Sequence, residues 1–205
     1  FSAHWMRFLP SDFFTYSLDG VGADWPINYR DLEPYYLEGD FDVGVSGLAG
    51  DPAYPDRPDY PMPPLAIQPW GEMVAAAHDR LGWHWWPGSN AIASRPYQGR
   101  RPCVQRSTCR AGCNEGAKGQ VDQSIWPSAI QAGARLVTGA RVARILTNHH
   151  GRAEGAVFVD DSGVLRRIKA GIIVLAAHAI GSARLLLKST DTTWPDGLAN
   201  SSGVV

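Results

Sequence analysis

Four apolar residues in unbroken succession, Ile172, Ile173, Val174 and Leu175, run into two alanines and then into the series Ala179, Ile180, Leu185, Leu186 and Leu187. The first pattern predicts a strand over 171–175 that is covered on both faces in a parallel sheet, and the second predicts an amphipathic helix. Small Ala176 and Ala177 at the join let backbone approach a ligand, as nucleotide-binding folds do at such turns, although many parallel-sheet domains contain the same junction for structural reasons alone. Upstream, Met73, Val74, Ala77 and Leu81 share one face of a helix over 71–81 that Gly82 stops. Acidic residues and Pro34 predict the start of a short helix over 31–36, and a further helix is expected over 122–132. Residues 135–138, 141–146, 155–159 and 165–168 read as short strands, with a hairpin turn at 160–163. Seven prolines between 48 and 69 exclude regular structure there, and a loop that long is usually functional or wraps a surface.

Trp83, Trp85 and Trp86, close to Trp70, predict a packed aromatic core, with stacking on a sugar or aromatic ligand as the alternative. The 205 residues suffice for one good domain or two small ones, and a net charge of −1 gives no electrostatic case for nucleic acid as a partner. No apolar run is long enough to span a membrane and no signal-peptide pattern is present. The start at Phe1, and an end with neither terminal helix nor charged tail, lead us to expect an internal piece of a longer protein. Gly20-Val21-Gly22 begins like a dinucleotide fingerprint, but Trp25 replaces the third glycine and Pro26 follows instead of a helix, so it is rejected as a phosphate loop.

Cys103, Cys109 and Cys113 are the only cysteines, spaced C-x5-C-x3-C on one loop that also carries Arg100, Arg101, Arg106 and Arg110. Thiolates so spaced can ligate an iron–sulfur cluster, although most clusters use four cysteines. Zinc would want a fourth ligand, and His78 and His84 are not suitably spaced for it. One disulfide plus a free thiol, or three reduced thiols, are equally open. The arginines read as solvated, or as a positive surface for an acidic partner.

Several ordered landmarks resemble the glucose–methanol–choline (GMC) oxidoreductases. They are Ser2-Ala3-His4-Trp5; Gly22-Ala23-Asp24-Trp25-Pro26-Ile27 with Asp31-Leu32-Glu33-Pro34-Tyr35-Tyr36; Gly44-Val45-Ser46-Gly47; Gly112-Cys113-Asn114-Glu115-Gly116-Ala117-Lys118; Leu175 to Ser182; and Gly197 to Gly203. The resemblance implies an α/β (α+β) fold: a partial FAD-binding, Rossmann-like domain with part of the substrate or cap region. Residues 1–120 would carry the flavin-contacting turn, the proline-rich loop and the cysteine loop, and 121–205 part of the FAD-binding domain. It also implies a Gly-rich strand–turn–helix before residue 1 and a catalytic His with a His or Asn partner after residue 205, so no catalytic residue is assigned within the chain.

The implied cofactor contacts are Ser2, His4, Trp5, Val142, Ala176, Ala177 and His178. In some sugar-oxidising relatives the histidine matching His4 is joined covalently to flavin; here Trp5 is retained, whereas Ala3 departs from the usual Thr. Val142 matches the residue whose backbone faces the adenine, and His178 stands where Gly or Asn is more common. The cysteine spacing resembles the 3Fe–4S loop of bacterial sugar dehydrogenases, which makes Cys103, Cys109 and Cys113 the implied metal ligands. The function so implied is oxidation of an alcohol or sugar hydroxyl by hydride transfer to FAD, with a non-NAD acceptor, a small accessory subunit and a cytochrome c as partners. Periplasmic location, or membrane association through a partner, is the expectation, with a cytoplasmic one also open. The competing reading is a small cysteine-loop electron-transfer or metal-binding module without flavin.

Overall fold

The computed structural model describes residues 3–201 and 203, and the chain divides into two compact units, Phe1–Ala134 and Arg135–Val205. Among the described residues the first holds a 3-10 turn, Pro10–Phe13, and the helices α1 (Thr15–Asp19), α2 (Tyr29–Val43), α3 (Pro69–Leu81), α4 (Val121–Ser124) and α5 (Trp126–Gln131). Asn28 starts α2 with a reciprocal cap, its side chain accepting from the Arg30 N–H at 2.8 Å while its own N–H donates to Asp31 at 2.8 Å. The helix therefore extends well past the short one expected over 31–36 and ends at Gly44, whose φ is 71°. A β-carbon at Gly44 would also meet the Arg100 guanidinium at 2.0 Å and the Tyr97 ring at 2.6 Å. Arg100 is buried, not solvated as its loop position implied, because it donates to the last carbonyl of α2, Val43 O, at 2.6 Å.

The helix expected over 122–132 is broken into α4 and α5. Pro127 lacks the N–H an unbroken helix would need, so the chain stops at Ser124 and restarts at Trp126. The aromatic core is a second correction: Trp70 and Trp83 are 74% and 61% exposed. None of the residues of α3 is buried, so that element offers the indoles no packed face. The core instead gathers around the extended stretch 89–93. One cluster is Val43, Val45 and Ala91 with Trp5 and Tyr60 against it; the other is Ala3, Ile92 and Ala117 with Leu65 and the three cysteines.

The second unit holds β1 (Arg141–Thr147), β2 (Ala153–Val159) and β3 (Leu165–Lys169), antiparallel in the order β1-β2-β3, and α6 (His178–Lys188). α6 buries Leu185, while Ile145 of β1 is similarly buried; the Ile145 N–H donates to the Ser189 hydroxyl at 2.9 Å, which itself donates to Leu185 O at 2.6 Å. Two strand expectations fail. Residues 135–138 form no strand, and neither do 171–175, where Ile172 and Val174 are 84% and 83% exposed. An all-apolar strand needs a neighbour on its edge and cover on both faces, and the small antiparallel sheet supplies neither to this stretch.

Candidate functional site

In the first unit, residues 3–5 are held from both sides by main chain. Ala3 O accepts from Ala91 N–H at 2.8 Å, Trp5 N–H donates to Ser89 O at 3.0 Å, and the Ser89 hydroxyl donates to Trp5 O at 2.5 Å. Ala3 is wholly buried at a φ of 75°, a left-handed conformation that costs an alanine about 1 kcal/mol and is kept here by the packing around it. Trp5 lies against Val43, Val45 and Ala91. With both neighbours anchored, His4 forms a bridge to Asn90 and keeps its side chain exposed. Ser2 lies outside the described residues.

Directly behind this turn sits the cysteine loop. Cys103, Cys109 and Cys113 all pack on the cluster of Ala3, Ile92 and Ala117, and all line one small cavity of about 20 Å³. None of the three is in a disulfide in this structure. Cys103 Sγ accepts the Gln105 N–H at 3.3 Å, with Gln105 and Ser107 both in left-handed conformations that curl the loop around the thiols. Burial alone would raise the Cys113 thiol, but the main-chain N–H groups of Lys118, Ala117, Glu115 and Gly116 outweigh it and hold the thiol below its ordinary range. Lys118, only 3% exposed, donates from Nζ to Cys109 O at 2.6 Å. At the rim, Glu115 pairs with exposed Arg106 at 3.0 Å and Arg101 at 3.8 Å. Among the described residues no group of three His, Cys, Asp or Glu is arranged to hold a single metal ion.

In the second unit Val142 sits near the start of β1, half exposed and paired with Phe158. Ala176, Ala177 and His178 are exposed at the entry to α6, where His178 has a φ of 64°. No side chain caps α6 at Ala177, so the first-turn N–H groups are open to an anionic ligand or water. The expected flavin contacts thus divide between the units, with His4 and Trp5 in one and Val142, Ala176, Ala177 and His178 in the other.

Three features escaped the sequence reading. Lys118 was visible only as the end of a motif, and no local pattern in the sequence marks it as buried. Arg7 and Arg57 both donate to Asp40 Oδ2, at 2.7 and 2.8 Å, tying the chain after the His4 turn to α2 and to the proline-rich loop; residues 7, 40 and 57 are too far apart in sequence to be linked by spacing. Near them a cavity of about 360 Å³ is walled by Tyr54, Arg57, Tyr60, Trp85 and Trp86, with His84 Nε2 at 2.9 Å from Asp51.

The GMC oxidoreductase family profile matches residues 68–191. The chain is 43% identical, over its whole length, to a 2-methyl-1,2-propanediol dehydrogenase of Mycolicibacterium austroafricanum. It is 33% identical over 98% of its length to the large subunit of fructose dehydrogenase from Gluconobacter japonicus. It is also 33% identical over 99% of its length to a paromamine 6'-oxidase of Streptomyces fradiae. It spans 37–38% of the length of each of these relatives. Family profile, whole-chain identity and the ordered landmarks agree, and the chain belongs to the GMC oxidoreductase family.

Proposed function

We propose that the chain forms part of an FAD-dependent enzyme that oxidises a hydroxyl-bearing carbon of a small alcohol or sugar and passes the electrons to an acceptor other than NAD through a 3Fe–4S cluster. The observation that carries this reading is the position of Ala3. It precedes His4 in the expected flavin-contacting turn and is also part of the buried wall on which all three cysteines pack. The two redox sites would therefore share one hydrophobic layer.

FAD, when bound, supplies a two-electron acceptor for hydride. The residues to hold it are His4 and Trp5, fixed by the bonds to Ser89 and the bridge to Asn90, with Val142, Ala176, Ala177 and His178 at the dinucleotide. A cluster supplies one-electron transfer to a haem or quinone chain. The thiols of Cys103, Cys109 and Cys113 suit it: they face one cavity, and main-chain N–H groups already point at Cys103 and Cys113, as hydrogen bonds to cluster sulfurs do. On this reading 1–120 is the flavin-contacting and substrate region and 121–205 part of the FAD-binding domain. An accessory subunit, a cytochrome c acceptor, and a periplasmic or partner-anchored location complete it; the large-subunit name of the Gluconobacter relative supports a smaller partner. Among the described residues no helix is long and apolar enough to cross a membrane.

In the full-length protein, Cys109→Ser should remove iron and slow electron delivery to the acceptor, while stopped-flow reduction of the flavin by substrate is retained. Unchanged iron content would rule out the cluster.

A further inference from the structure

The cavity of about 360 Å³ beside the His4 turn has the size of a small-ligand pocket. Met6 and Arg7, which follow the turn, are part of its wall, and so is Ser89, whose hydroxyl holds Trp5 O. Two other parts of that wall, the proline-rich loop and the tryptophan segment, are clasped together by His84 Nε2 on Asp51 Oδ1 and by Trp86 Nε1 donating to Leu48 O, both at 2.9 Å. Trp85 Nε1 donates to Asp79 at 2.8 Å, so both indole N–H groups are already bonded and the rings offer a ligand carbon surface. The Tyr54 hydroxyl is committed as well, donating to Arg7 O at 3.0 Å. Arg7 and Arg57 have side chains only 4% and 6% exposed, and both are bonded to Asp40. What the wall holds ready is therefore acceptors. Asp51 Oδ1 takes His84 and, at 3.0 Å, the Ala53 N–H, while Asp51 Oδ2 and the exposed Asp56 carboxylate have no hydrogen-bond or ion-pair partner among the described residues.

Resting on the reading of the chain as part of a hydroxyl-oxidising flavoenzyme, we infer that this cavity is a specificity pocket for the part of the substrate away from the reacting carbon. Asp51, Asp56 and the Trp85 and Trp86 rings there select an uncharged polyhydroxylated molecule, a sugar or polyol, over monohydric alcohols and sugar acids. A polyol brings several O–H donors for the two carboxylates and C–H faces for the indoles. A monohydric alcohol brings one donor, and the unreactive end of its chain leaves the carboxylates unbonded. A sugar acid meets Asp51 and Asp56 with like charge, and the nearest cations, on Arg7 and Arg57, are already held by Asp40.

The test is steady-state oxidation of D-glucose, sorbitol, 1-hexanol and gluconate, all of six carbons, by the full-length protein with a dye acceptor, as wild type, Asp56→Ala and Trp85→Leu. The flavin spectrum reports whether each variant is folded. The wild type should have its highest kcat/KM on glucose or sorbitol. Asp56→Ala removes a side chain that ties no other part of the fold, so it should lower kcat/KM for these two about tenfold, mainly through KM, the effect of losing a hydrogen bond to a charged group. Oxidation of 1-hexanol should stay unchanged and the discrimination against gluconate should narrow. Trp85→Leu should weaken glucose and sorbitol more than 1-hexanol. A flavin-containing wild type that prefers 1-hexanol or gluconate, or oxidises none of the four, overturns the inference alone, as do unchanged glucose and sorbitol kinetics in both variants. Equal losses on 1-hexanol and the polyols, or loss of flavin from both variants, also overturn it by making the two residues structural. Wild-type protein without flavin overturns the flavoenzyme reading and this inference together.

Discussion

Asp40 receives two guanidinium groups on one carboxylate oxygen in a place where the side chains of Arg7, Asp40 and Arg57 are 4%, 1% and 6% exposed. Taking such charges out of water is costly, and the arrangement holds only while every partner is present. Burial works against the Arg7 cation, yet hydrogen bonds to Tyr29 and Asp40 and the Asp40 charge outweigh it and push its pKa up. Asp40→Asn removes the countercharge that both guanidinium groups share and leaves two buried cations facing a neutral amide. In the full-length protein it should cost about 3 kcal/mol or more of stability, read from the midpoint of denaturant unfolding, and weaken the hold on the segment that follows His4. A change under about 0.5 kcal/mol, the scale of ordinary surface substitutions, would show that the triad is dispensable. At this scale the sequence was least informative: each of the three residues looks like an ordinary surface charge until the fold brings them together.

Among the elements, the β2–β3 hairpin shows how a local sequence carries its own structure. Asp160 Oδ1 accepts from the Ser162 N–H at 3.0 Å and the Val164 N–H at 2.9 Å, and Oδ2 from Arg166 Nε at 2.8 Å. The Arg166 bond first, then the turn N–H groups, hold the Asp160 carboxyl below its ordinary value of 3.8. A carboxyl depressed on folding contributes stability that is fully present above its unfolded pKa and lost as pH falls through the lower folded one. Amide exchange at Val164 should therefore be protected at neutral pH and accelerate below about pH 3.8, and Asp160→Asn should abolish that acid-side change. An unchanged profile in the variant would assign the dependence to another group. Elements of this local kind were legible: α3 with its Gly82 stop, β1, β2, β3, the turn at 160–163 and α6 all follow periodicity and turn chemistry. The errors fell where one residue decides the outcome, as Pro127 does between α4 and α5, or where neighbours do, as over 171–175.

For the whole molecule, the exposed apolar residues set the expectation. Ile172, Val174 and Ile180 are more than three-quarters exposed in the second unit, and Met6, Trp70 and Trp83 are exposed in the first. Residues 1–205 expressed alone should therefore aggregate or unfold without cooperativity, seen by light scattering and a broad thermal transition. A soluble product with one sharp transition would contradict this. The sequence by itself determined the family, through landmarks whose order and spacing survive without any knowledge of contacts, and it determined the cysteine loop and most helices and strands, because those depend on neighbours a few residues apart. Only the tertiary structure decided that Ala3 and the three cysteines share a wall, that Arg100 and Lys118 are buried, that Trp70 and Trp83 stay exposed, and that 171–175 forms no strand. Each of these depends on which distant segments exclude water from a side chain or satisfy a backbone group, and no local pattern encodes that.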